Sequence, residues 1–290
     1  MPNTSKRPDI RLIATDLDGT LLNPRGEISP RTLDALHACE RRGIKVVMSS
    51  GRTFANVRLL ALQAGLNSPI ISCNGGRVDA SPFGPVIMED TLPVPLAEIV
   101  FDELLASGLY IECYTGNTIY RMHPRLSPFL PSPEAYVRQE VVGEEDGFEQ
   151  RFIDDELERM RAEGVPHAYK LAAFSRDPSR LQRIREALCA YDLTFTSAFP
   201  FNLEIMARGS GKGRCIDFLC RYLGLAREQV MAFGDNTNDA EMLQAAGVAV
   251  AMGNAVDALK HAADIVAPAN SEDGEAQIIE RMVLGGQTEA

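Results

Sequence analysis

The chain has 290 residues, is 45% hydrophobic and carries a formal net charge of −11 at pH 7. That supports a sizeable core in one large or two modest domains, and the negative charge argues against a nucleic-acid or anionic-membrane partner. The polar start MPNTSKRPDI reads as no signal peptide and no apolar run reaches bilayer-spanning length; the six cysteines, with no CxxC or zinc-finger spacing, fit reduced thiols in a cytoplasmic protein.

The first apolar run, Leu12 to Thr15, reads as a buried strand and stops at DLDGT, where Asp16 and Asp18 stand two apart. Either aspartate taken alone suits a turn or a cap at a strand end. ISPRTLDALHACERRG is a helix with Ser29 as N-cap, Pro30 at its first position and Gly43 at its end. The run Ile44 to Met48 leads into SSGR, in which Ser50 either caps the next helix, binds an anion, or does both. Arg52 reads equally as a structural residue and as a phosphate ligand. The helix TFANVRLLALQAGL follows, then the run Pro69 to Cys73, which ends at Asn74 and Gly75.

The middle of the chain has another character. PVPLAEIVFDELLASG is a helix behind two prolines, and LYIECYTGNTIYRM a hairpin turning at Gly116-Asn117. Residues 124–150 contain prolines and acids without a clear period. HAYKLAAFS, PSRLQRIREALCA and LTFTSAFPFNLEIM add strand, helix and strand. His123, near Tyr120 and Arg121, is the histidine best placed for a substrate contact. SGKG around Lys212 comes next; alone, Lys212 reads as one solvated lysine among many. The runs Val230 to Phe233 and Val248 to Met252 resume the first pattern, with the helix NDAEMLQAAG between them. Asn236 and Thr237 shape the loop before that helix, and Asn238 is a candidate cap for it.

Near-continuous apolar runs alternating with helices predict an α/β fold, a doubly wound, Rossmann-like parallel sheet. Its core is expected over residues 1–91 and 200–290, with an α+β unit inserted over 92–199. Ligands of such sheets bind at the carboxyl ends of the strands. Asp16, Asp18, Asp235 and Asp239 then gather at one edge with a single lysine, Lys212. Such a cluster repels itself unless a hard, oxygen-seeking cation such as Mg²⁺ joins it. Ser50 and the Gly51 amide are placed to donate to a phosphoryl group, and Lys212 to neutralise one of its oxygens. The assembly suits phosphoryl transfer with Asp16 or Asp18 as a carboxylate nucleophile.

These residues resemble the haloacid dehalogenase superfamily, specifically the Cof-type hydrolases of subclass IIB. The resemblance rests on DLDGTL, SSGR, NGG, SGKG, GDNTNDAEML, AMGNA and ADIVAPANSEDGEA, in that order. It implies that Asp16 is the nucleophile and Asp18 the general acid and then base. It implies that Mg²⁺ is held by Asp16, the Asp18 carbonyl and Asp235, and that Ser50 and Lys212 bind the phosphoryl group. Asn74 and Gly75 would contact phosphate or substrate, with Asn238 and Asp239 in support and Asp239 orienting Lys212 or a metal-bound water. The inserted unit would be a cap domain that selects a small phosphorylated metabolite, a sugar phosphate first and a nucleotide or cofactor phosphate next. A phosphomutase and a non-catalytic phosphometabolite sensor are the alternatives. Two departures from the family pattern are expected to matter little: Ser50 where threonine is more common, and Glu275, on what is expected to be a peripheral loop, where an apolar residue is usual.

Overall fold

The structure is a computed structural model and describes residues 8–116, 118–122, 149–165 and 167–285. His123 and all but the end of the irregular 124–150 segment lie outside the described residues, as does Asn117 of the expected hairpin turn.

The first sheet begins with β1 (Leu12–Thr15), β2 (Lys45–Ser49), β3 (Ile70–Ser72), β4 (Arg77–Asp79) and β5 (Val86–Glu89). It is completed by β12 (Val230–Gly234), β13 (Val248–Ala251) and β14 (Ile265–Val266), in the order β14-β13-β12-β1-β2-β3-β4-β5. From β14 to β3 the pairs are parallel; β3-β4 and β4-β5 are antiparallel. β1 is central, between β2 and β12, and Leu12, Ile13 and Ala14 are fully buried. Each large apolar side chain so buried contributes roughly 1.5–3 kcal/mol, and this explains the unbroken apolar run. Helix α1 (Pro30–Arg41) starts at Ser29, whose hydroxyl accepts the Thr32 amide at 3.1 Å. Helix α2 (Phe54–Gln63) is capped by Thr53 and not by Ser50, which leaves the Ser50 hydroxyl outside the helix terminus.

The second sheet is built between β5 and β12. Its elements are α3 (Val94–Ser107), β6 (Tyr110–Thr115), β7 (Thr118–Arg121), β8 (Glu149–Phe152), α4 (Ile153–Glu163), β9 (Ala168–Phe174), α5 (Pro178–Leu188), β10 (Leu193–Thr196) and β11 (Asn202–Ala207). They pair in the order β10-β11-β9-β6-β7-β8, antiparallel except β7-β8. The stretch expected as one strand, LTFTSAFPFNLEIM, is two. Asn202 Oδ1 accepts from the Ser197 hydroxyl and from the Ala198 and Phe199 amides, closing a turn around Pro200 that folds β11 back on β10. The insert was expected to end at residue 199, yet β11 also pairs with β9, so the second sheet runs on to Ala207.

Each sheet has its own apolar cluster, one around Leu12, Ile13 and Phe233 and one around Phe101, Leu104 and Leu171. A third cluster joins Ala55 and Cys73 of the first layer to Tyr110, Tyr114, Tyr169 and Phe174 of the second. A cleft of about 380 Å³ opens beside it, at the carboxyl ends of β1, β2 and β12.

Candidate active site

Three strand ends of the first sheet deliver side chains to this cleft. Asp16 follows β1 directly, and its amide donates to the Phe233 carbonyl of β12 at 3.1 Å, locking the loop to the neighbouring strand. Asp235 follows β12, and its Oδ1 accepts the Thr20 hydroxyl at 3.1 Å. Gly19 lies at φ +86°, and a Cβ there would sit 2.4 Å from Asp235 Oδ2. Only glycine lets the β1 loop pass this close to the second carboxylate.

Lys212, the first residue of helix α6 (Lys212–Leu223), enters from the second sheet's exit. It is buried, and its Nζ donates to Asp16 Oδ1 at 2.5 Å and to Asp239 Oδ1 at 2.6 Å. The other Asp239 oxygen accepts the Asp235 and Asn236 amides, both at 3.1 Å. Asp16, Asp235 and Asp239 each offer a carboxylate oxygen within 4.8 Å of the other two. Burial and then Asp239 push the Asp16 carboxyl well above its usual range, against the pull of Lys212. Burial and then Asp239 also raise Asp235 to about 6. For Lys212, burial works against the charge, but Asp16 and Asp239 outweigh it and raise its pKa.

This donor set fits Mg²⁺. Asp239 is already satisfied by Lys212 and two amides, whereas Asp16 and Asp235 are raised carboxyls that a hard cation would return to the ionised form. The Asp18 side chain stands apart from the cluster. It is 47% exposed and held in a bidentate pair by Arg52, with Nη2–Oδ1 at 2.6 Å and Nε–Oδ2 at 2.9 Å. Arg52, expected as a phosphate ligand or a structural residue, is thus bound to Asp18.

The loop after β2 carries Ser50 and Gly51 to the cleft wall. It is stitched to the β3 loop by the Ser50 amide on Ile71, the Asn74 amide on Ser50 and the Cys73 amide on Arg52. Asn74 sits at φ 55°, a left-handed position that asparagine tolerates. Its Nδ2 donates to Glu204 of β11 at 2.7 Å, and its Oδ1 accepts Asn238 at 3.5 Å. Gly75, at φ +96°, packs where a Cβ would strike the Gly211 carbonyl at 2.5 Å, so its part is to admit the chain before Lys212. Asn238 does not cap the following helix, α7 (Ala240–Ala245). Asn236 caps the turn before it by accepting the Thr237 amide at 2.7 Å.

The family model for haloacid dehalogenase-like hydrolases matches residues 13–279. This chain belongs to that family. Phosphatase YwpJ of Bacillus subtilis is 32% identical over 94% of this chain and 100% of its own length. The 5-amino-6-(5-phospho-D-ribitylamino)uracil phosphatase YwtE of the same organism is 30% identical over 95% of this chain and 99% of its own. The solved structure of a haloacid dehalogenase-like hydrolase from B. subtilis matches with a TM-score of 0.81 at 30% identity, over 94% of this chain and 100% of that one. The enzyme is therefore a haloacid dehalogenase-like phosphatase, a hydrolase of phosphomonoesters.

Two parts of this hydrolase's site escape a reading of motifs. Lys170 and Glu204, on strands of the second sheet, line the cleft as a buried ion pair with Nζ–Oε1 at 2.6 Å. Each is a charged residue within an apolar strand, AYKLAAF and NLEIMA, and that contrast is the signal that marks them. Glu275 is the other. Far from a peripheral loop, it is buried and its Oε2 accepts the Thr15 hydroxyl at 2.9 Å, one residue before Asp16. Burial raises its carboxyl to about 8.

Proposed function

We propose that this protein hydrolyses a small phosphomonoester through an aspartyl-phosphate on Asp16, with Mg²⁺ held by Asp16 and Asp235. The observation that carries this reading is the division of the carboxylates. Asp16 and Asp239 share Lys212 inside the site, while the Asp18 side chain stands off at the cleft wall. A nucleophile has to stay ionised on the metal; a proton carrier has to keep its side chain off it. Bound Mg²⁺ would supply positive charge to the phosphoryl oxygens and keep Asp16 ionised.

A carboxylate oxygen of Asp16 forms a bond to phosphorus as the ester P–O bond breaks, and Asp18 gives its proton to the leaving alkoxide. Water then attacks phosphorus, Asp18 takes the proton, and the Asp16 oxygen leaves with free phosphate as the other product. The guanidinium of Arg52 matches the carboxylate form of Asp18 that this second step needs. Ser50 and Lys212 bind phosphoryl oxygens. The second sheet is the cap that closes the cleft and selects the substrate, over residues 92–207. A cleft of this size suits a small metabolite. YwtE's substrate, a phosphate on a polyol chain, supports an ester of a sugar-like alcohol. Six free cysteines are in keeping with the cytoplasm.

The test replaces Asp16 with Asn and follows phosphate release from a panel of phosphomonoesters with Mg²⁺, ranked by kcat/KM. The variant should lose turnover. Equal turnover in the two proteins would refute the mechanism, and an isomerised product without free phosphate would make the enzyme a mutase.

A further inference from the structure

Four polar groups at the cleft and its edge form one connected path from the second sheet to the loops after β2 and β3. Lys170 of β9 and Glu204 of β11 are 2% and 4% exposed. Lys170 Nζ donates to Glu204 Oε1 at 2.6 Å and to the Gly51 carbonyl at 2.8 Å. It also lies over the Tyr114 ring, 4.1 Å from the centroid. The second Glu204 oxygen accepts Asn74 Nδ2, on the neighbouring strand end. An ion pair this deep is a poor stabilising device, because desolvation cancels most of the attraction. What the pair does to the peptide that it grips is more telling.

The Gly51 carbonyl and the Arg52 amide belong to one peptide unit, and the described chain has no cis bonds. In a trans peptide the C=O and N–H point in opposite directions. Holding the oxygen on Lys170 therefore aims the N–H the other way. There it donates to Ser50 Oγ at 3.2 Å. A hydroxyl oxygen that already accepts a hydrogen bond keeps its own proton available to donate. The Ser50 side chain, which caps no helix, faces the cleft that holds Asp16.

We propose that Lys170 is a positioning residue of the phosphoryl site: by fixing the Gly51–Arg52 peptide it turns the Ser50 hydroxyl into a donor to a phosphoryl oxygen. Glu204 has two parts in this. It neutralises the lysine so that the charge can remain buried, and it anchors Asn74, whose Oδ1 lies where Gly51 permits no Cβ, 2.8 Å from the position that one would take. The strand that shapes substrate choice thus also sets the phosphate contact. The proposal rests on the reading of the cleft as a phosphoryl site.

Two charge-balanced variants test it without leaving a lone buried charge: K170M/E204Q, which has no donor at position 170, and K170Q/E204Q, which has an amide donor. Both keep an acceptor for Asn74. Affinity for inorganic phosphate, measured by calorimetry with Mg²⁺ present, needs no turnover. It should fall about tenfold in K170M/E204Q and recover in large part in K170Q/E204Q. In kcat/KM, S50A should cost on the order of 100-fold in the wild-type background and far less when added to K170M/E204Q, because both changes remove the same contact. Equal phosphate affinity in wild type and K170M/E204Q, equal losses in the two charge-balanced variants, or additive effects with S50A would each overturn the proposal. A wild type that binds phosphate yet turns over no ester would refute the hydrolysis while the affinity comparison still decides on Lys170.

Discussion

Replacing Glu275 by Gln should stabilise the protein, and the gain should grow with pH. The carboxyl is buried behind β1, its Oε2 accepts from Thr15, and its Oε1 has no partner. Burial raises its pKa from 4.5 to about 8. In the unfolded chain the group loses its proton near the ordinary glutamate value; in the folded one it keeps the proton until about pH 8. The folded state is therefore penalised progressively between those two values, and the stability present at low pH is lost as pH rises through that window. Each unit of separation corresponds to about 1.4 kcal/mol. Glutamine copies the neutral carboxyl and escapes the penalty. The advantage of E275Q should be near zero at pH 4, grow by about 1.4 kcal/mol per pH unit, and level off above pH 8 at roughly 4–5 kcal/mol. For a chain of this size each kcal/mol moves the melting temperature by about 2–4 °C. Urea unfolding of both proteins at half-unit intervals from pH 4 to 9 reads the difference directly, since other titrating groups are common to both. Parallel stability profiles across that range would refute the reasoning.

Gly19→Ala should cost about 1–2 kcal/mol from the left-handed backbone alone and should also weaken the metal site, because the new methyl group meets Asp235 Oδ2. Unchanged urea stability and unchanged activity would contradict this. Mg²⁺ should raise the melting temperature by binding only the folded state. The increment should shrink as pH falls through about 6, where Asp235 takes up a proton, and D235N should lose it. An increment that is the same at pH 5 and pH 8 would remove Asp235 from the metal's ligands.

The first sheet was legible because a parallel strand covered on both faces leaves an unbroken apolar run, as Leu12 to Thr15 does. The convergence of Asp16, Ser50 and Asp235 was legible for a related reason, since strand ends in such a sheet share one edge; Lys212 begins a helix instead, and that rule does not place it. Ser29 was readable as a cap because Pro30 follows it. Ser50 and Asn238 were not readable as non-caps: the residues that displace them, Thr53 and Asn236, have the same short polar side chains. Register in the second sheet was hidden as well. Whether Asn202 continues a strand or closes a turn depends on the Ala198 and Phe199 amides turning back towards it, which no local propensity encodes. The tie between Arg52 and Asp18 spans 34 positions, and that between Glu275 and Thr15 spans 260. Such partners are chosen by topology, so the sequence offers the charges without saying who meets whom.

The contact between Lys212 and Asp16 closes a loop of 196 residues. During synthesis β1 emerges long before β12, the neighbour that completes its pairing, and before the lysine that steadies its first aspartate. The second sheet lies wholly inside that loop and forms from strands near one another in the chain, so it is able to assemble while β1 is paired with β2 alone and still lacks β12. The nascent chain thus carries a folded second sheet before Asp16 meets its lysine partner. The cluster of Asp16, Asp235 and Asp239 is completed last.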